Sequence, residues 1–257
     1  MNIFRYRGLR WIGFVLLAAS VAAQPADAPA VKVSAFAPAK DLEGQVKFFL
    51  GRLEEGLASK EVFDEAKQSR VRKDANTLSA IGLLLAKHDQ ESDLRSSGPA
   101  LLKAAQHLAA AEGDYDQAFA ALADLKKAAA GQSAGGEPPA WGKVASLGAL
   151  MKQVPLVHSG LKRGVEGARF ARQADQAAGQ AATLAAIAQS SMFDNSEVHN
   201  PGEEAKWREF CTQMRDAAGQ INAAAHAGDQ QAARAGLKTL SESCDRCHEV
   251  FRKEHKE

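Results

Sequence analysis

Cys244-Asp245-Arg246-Cys247-His248 bring two thiols and an imidazole together near the C-terminus of a 257-residue chain. The C-x-x-C-H spacing is that of covalent haem c attachment. Two thiols add to the two vinyl groups of one porphyrin, and the adjacent histidine supplies the proximal ligand to iron. On a helix, positions i, i+3 and i+4 share a face. Cys244, Cys247 and His248 can therefore meet one flat macrocycle. Other chemistries with this spacing need surroundings the chain lacks. A redox C-x-x-C prefers a βαβ setting, and a structural zinc site needs a second ligand pair. The chain has 3 cysteines. Cys211 is left over and reads as a small buried hydrophobe, so no disulfide framework is expected.

The N-terminus points to export. Arg5, Arg7 and Arg10 form a basic segment, Trp11 to Ala19 is a short apolar run, and Val21-Ala22-Ala23 places small residues at a cleavage site. Residues 1–23 thus read as a secretory signal peptide cut after Ala23, and the run is too short for an ordinary membrane span. A periplasmic or otherwise exported location follows, with no stable membrane span in the mature chain. Losing the three arginines takes the formal charge from +1 to −2. That balance argues against a nucleic-acid partner held by phosphate contacts.

The elements that must position the motif are helices. Residues 24–40 are rich in Pro and Ala and read as a flexible tether. Residues 131–142 crowd Gly and Pro and read as a linker. Elsewhere Ala, Leu, Gln, Lys and Glu recur in helical rhythm and strand-like runs are missing, so the expected fold class is all-α. Thr77-Leu78-Ser79-Ala80-Ile81 matches Thr183-Leu184-Ala185-Ala186-Ile187, and Gly113-Asp114 matches Gly228-Asp229. From there Ala118, Leu122 and Leu125 fall on Ala233, Leu237 and Leu240, while Ala129, Gln132 and Ser133 fall opposite Cys244, Cys247 and His248. The chain therefore reads as two tandem antiparallel four-helix units, a haemless bundle at 41–130 and a haem unit at 143–257. Helices are expected over 41–57, 60–88, 98–112 and 114–130, then over 143–153, 164–189, 202–227 and 229–255. The register shift between the repeats predicts a loop at 190–201 about nine residues longer than its first-unit counterpart. On the last helix, Ala233, Leu237, Leu240, Cys244, Cys247 and Phe251 form one apolar stripe, which directs the porphyrin into the bundle.

A C-terminal C-x-x-C-H on the last helix of such a bundle resembles the class II c-type cytochromes, the cytochrome c prime family. The string Cys247-His248-Glu249-Val250-Phe251-Arg252 is similar to that family's C-H-x-x-[FY]-R. The resemblance covers about the last 110 residues directly and the first unit only through the repeat. It implies that Phe251 and Arg252 pack near the haem. Arg252 lies one helical turn from His248, where its charge would bias the iron or screen a propionate; a solvated helix-end arginine is the alternative. Family members leave the sixth iron position empty under an apolar residue or fill it with a first-helix methionine. Here Met151 is the candidate ligand, and Leu147 or Leu150 the candidate cover; Met151 as ordinary core is the competing role. His158, His199 and His226 read as surface residues. His255 is two turns from His248 and too far to share the iron. Trp207 and Phe210 read either as porphyrin contacts or as core.

These readings converge on an exported monohaem c-type cytochrome that carries single electrons to redox proteins of the periplasm. Two alternatives stay open: a five-coordinate haem module for nitric oxide or carbon monoxide, and a haemless first unit that docks a partner. No nucleophile–base pair or metal-activated water site is evident, so an enzyme is not expected. The resemblance implies homodimers, and the first unit competes for that surface within the chain.

Overall fold

The computed structural model of the protein describes residues 31–66, 70–133, 136–200 and 202–252. The signal-peptide reading of residues 1–23 and the position of His255 lie outside them. Among the described residues there are nine α-helices and no strand, so the molecule is all-α as expected. The helices are α1 Ala39–Gly56, α2 Lys60–Ala66, α3 Arg72–Ala86, α4 Gly98–Ala110, α5 Tyr115–Ala129, α6 Leu147–Glu166, α7 Phe170–Ser191, α8 Glu204–His226 and α9 Gln230–Phe251. None of them is long and apolar enough to cross a membrane.

Local chemistry sets the last helix of each half. Gly113 and Gly228 adopt positive φ (104° and 69°), a conformation that ends a helix at little steric cost. Asp114 and Asp229 then accept from the backbone N–H of Gln117 and Ala232, capping α5 and α9.

The helix expected over 60–88 is described as α2 and α3, on either side of residues 67–69; Phe63 meets Tyr115 edge-on at 5.7 Å, while Val71 packs at Gly56. One expected helix differs. The helix expected to end at Gln153 runs through Pro155 to Glu166. Its buried face, Leu147, Leu150, Val157, Leu161 and Val165, continues past the proline, and that burial outweighs one missing hydrogen bond. With α6 this long, Leu42, Gln45, Val46, Leu53 and Gly56 of α1 fall without a gap on Leu150, Gln153, Val154, Leu161 and Gly164.

Residues 32–40 do not behave as a tether. Val33, Phe36 and Ala37 are buried, Phe36 lies against Gly219 of α8, and the Arg215 guanidinium sits 4.9 Å from its ring. Lys32–Glu257 form one compact unit whose main core draws residues from both sides of the Gly/Pro segment. Helices α6 to α9 pack in chain order, and α6 also meets α9. Likewise α3, α4 and α5 pack in order, and α1 meets α3 and α5. The two sets join through an exchange: α1 lies on α7, α3 on α6, and α3 on α7. Accordingly α3 is buried on all sides from Asp74 to Ala86. Polar pairs thread this junction, with Thr183 donating to Gln45 at 2.9 Å and Asn222 donating to Asp41 at 2.6 Å.

Candidate functional site

The stripe on α9 is amphipathic as its spacing predicts. Ala233, Leu237, Leu240 and Phe251 are buried, whereas Cys244 and Cys247 are only half-buried and His248 is exposed. The motif thus sits where the α9 seam leaves the core and opens onto space. Two adjoining cavities occupy that space, about 280 Å³ and 520 Å³. Ligand pockets typically span about 300–1,000 Å³. Met151, Pro155, Trp207, Cys247 and His248 line both. Cys244, Phe210, Cys211 and Met214 face the smaller one, and Leu147, Lys152, Glu197, Phe251 and Arg252 the larger. The smaller cavity lies among α6, α7, α8 and α9, and the larger among α6, α8, the end of α9 and the 192–203 connection.

The sequence candidates therefore gather in one cleft. Trp207 is 4 % exposed, its indole N–H donates to the Ser191 carbonyl at 2.9 Å, and its ring meets Phe251 edge-on at 5.2 Å. Phe210 meets the same Phe251 ring at 6.2 Å. Met151 packs half-buried on this aromatic cluster. Arg252 is exposed at the mouth of the larger cavity, and its backbone N–H closes the last turn of α9 on the His248 carbonyl.

Some candidates are elsewhere. Leu150 is no cover for the cleft: it is buried between Ala80 of α3 and Ile187 of α7 and lines neither cavity. Leu147 does line the larger one. His226 pairs with Asp41 at 2.7 Å, and His199 is exposed outside both cavities. His158 is half-buried rather than fully on the surface: it lines the smaller cavity, with Nε2 at 3.1 Å from the Ser241 hydroxyl. Ser241 lies seven residues before His248 on α9, about 10 Å along the helix axis.

The expected long loop is absent. The connections 87–97 and 192–203 are nearly equal, and the extra residues lengthen a helix instead: α8 has 23 residues against 13 in α4. The added turns at the start of α8 carry Trp207, Phe210 and Cys211, one wall of the cleft. The register shift was readable in the sequence, but nothing local distinguished a longer helix from a longer loop.

The apolar wall shapes the thiols. Burial pushes Cys247 up to about 11, with Cys244 adding to the shift, and Cys211 up to about 12, with Cys247 contributing. Burial also raises Cys244, opposed by a hydrogen bond from Ser243. All three stay protonated at neutral pH, so none is a thiolate ligand or nucleophile as it stands. Among the described residues no group of three or more His, Cys, Asp or Glu side chains could hold a metal ion by itself. The cleft can enclose a flat apolar molecule tied along α9 and faced by Met151. No protein-family model, curated protein or solved structure matches this chain.

Proposed function

We propose that the protein is an exported monohaem c-type cytochrome of class II shape, an electron carrier rather than an enzyme. In this reading the chain is two four-helix units in tandem, the first with α2 and α3 together in the place of one helix among α1–α5 and the second α6–α9, and only the second carries haem. The observation that supports it best is the convergence of Cys244, Cys247 and His248 on one cleft that Met151 and Trp207 also line. The residues fit the group: two thiols and an imidazole on one helix edge, apolar walls, and an open mouth with Lys152 and Arg252 to meet anionic substituents. Bound haem supplies a one-electron couple at its iron. The chain's own part is to anchor through Cys244 and Cys247, to ligate through His248, and to exclude water with Trp207, Phe210 and Phe251. Exclusion of water and the identity of the sixth ligand then set the potential. Its partners would be redox proteins of the periplasm.

Met151 is the sixth ligand in this account. A second reading, a gas-binding haem module, is favoured by one observation: Met151 is packed on the aromatic cluster as a core residue would be, with Leu147 beside the larger cavity. A pyridine haemochrome assay with spectra of both oxidation states tests the proposal. One covalently bound haem per chain and a thioether charge-transfer band in the ferric state are expected. A high-spin ferric spectrum, with rapid carbon monoxide binding after reduction, would select the gas module. A haem-free chain would reject both.

A further inference from the structure

The haemless half contributes nothing to the lining of either cavity; every lining residue lies at 147 or beyond. It nevertheless holds the segment that carries Met151. Pro155 lies one turn after Met151 on α6. A proline has no N–H for the carbonyl four residues back, and its ring crowds that carbonyl. The first two turns of α6 are therefore weakly joined to the rest of the helix at the Met151 carbonyl.

Several ties that fix those turns come from α3 and α4. The Ser146 N–H, at the cap of α6, donates to Asn76 Oδ1 at 2.7 Å. Asn76 cannot turn away, since its own amide donates to the Arg72 carbonyl at 2.8 Å and the side chain is 4 % exposed. The Gln106 amide donates to the Val144 carbonyl at 3.0 Å, just before the cap. Two residues after Met151, Gln153 donates to Asp74 Oδ1 at 3.2 Å. Asp74 is fully buried and itself held by Arg52 at 2.8 Å. Between these polar ties Leu150 is wedged against Ala80. From the second half, Asp194 accepts from the Leu147 N–H at 3.3 Å and pairs with Lys143 at 2.9 Å, the Ser146 hydroxyl accepts from Ala149 at 3.4 Å, and Leu147 packs with Trp207 and Phe251.

We propose that the haemless half is a brace for the distal wall of the cleft, with Asn76, Asp74 and Gln106 as positioning residues that hold Met151 over the iron site. This rests on the proposed haem function. It gives the first half a role without a ligand of its own: to offset, from outside, the one helical hydrogen bond that Pro155 leaves unmade in α6.

The test uses the full-length exported protein and three variants, Asn76→Ala, Gln106→Ala and Gln45→Ala. Gln45→Ala cuts a tie between the halves at α7 and leaves α6 untouched. Haem content by pyridine haemochrome comes first; a haem-free parent overturns the function on which the brace depends. In the haem-loaded parent, backbone hydrogen exchange over residues 146–154 and the rate of carbon monoxide association after reduction are then measured. Loss of one buried hydrogen bond predicts exchange and association about tenfold faster in Asn76→Ala. A smaller rise is expected in Gln106→Ala and none in Gln45→Ala. If Asn76→Ala does not fold, Gln106→Ala carries the test alone. Equal rates in the parent and in the folded α6-directed variants, or an equal rise in Gln45→Ala, would overturn the brace.

Discussion

The two halves differ most at one place, the junction of the second and third long helices. In the first half Gly82 and Gly98 bring α3 and α4 together: a Cβ at Gly82 would lie 2.8 Å from the Leu102 nitrogen, and one at Gly98 2.5 Å from the Ala86 nitrogen. In the second half the repeat puts Ala188 at the place of Gly82 and Ser191 at that of Leu85, and both face the smaller cavity. The added turns of α8 set Trp207 and Phe210 there. One half is closed by backbone contact, and the other is held open by aromatic rings. The half that is open is also the half with two thiols and an imidazole at the end of its last helix. Two exchanges of side-chain size, Gly82 against Ala188 and Leu85 against Ser191, and one longer helix thus separate a closed helix junction from an open one.

The largest expected effect comes from the motif itself. Replacing both Cys244 and Cys247 by Ser should leave no haem bound through denaturation, whereas Ala129→Cys, Gln132→Cys and Ser133→His together in the first half should gain none, because backbone contact at Gly82 and Gly98 closes α3 on α4; absorbance of the unfolded chain decides. Next, Trp207→Ala empties a buried indole and strands the Ser191 carbonyl, a loss of about 3–5 kcal/mol in the haem-free chain measurable by denaturant unfolding. Gly82→Ala forces a methyl group into backbone and should cost about 1–3 kcal/mol, while Ala188→Gly, at the matching place, should cost about 1 kcal/mol by helix propensity alone. A larger loss for Ala188→Gly than for Gly82→Ala would show that the closed–open contrast is misread.

The smallest effect is a pH dependence. Burial holds the His158 imidazole below the ordinary histidine value of 6.5, with Lys162 adding to the shift and Asp245 and Glu166 opposing it. The unfolded chain then binds this proton more readily than the folded one, so stability is lost as pH falls below that value. His158→Gln should flatten the slope of stability between pH 5 and 7, roughly the range of ordinary histidine titration, as read by thermal unfolding.

Much of this was legible in the chain. Helical rhythm, the Gly-Asp punctuation before α5 and α9, and the seam on α9 rest on local chemistry, and the structure follows them. The helix expected to end at Gln153 runs on past Pro155, because whether a helix continues through a proline depends on apolar burial further along, which a local reading weighs poorly. That misreading also hid the gapless match of α1 to α6. The burial of Val33 and Phe36 was masked by a Pro- and Ala-rich composition. Leu150 and Met151 are neighbours with equal claim on the cleft in sequence; only the packing of α3 against α6 turns one to the core and the other to the cavity. The ties from Asn76 and Asp74 join residues 70 and 79 positions apart and leave no pattern in the sequence.

The most direct measurement is on the exported protein unfolded in denaturant: absorbance of the pyridine complex together with the intact mass and a count of free thiols. The account predicts one haem per chain that stays with the polypeptide, and one free thiol, that of Cys211. A colourless chain with three free thiols would contradict it.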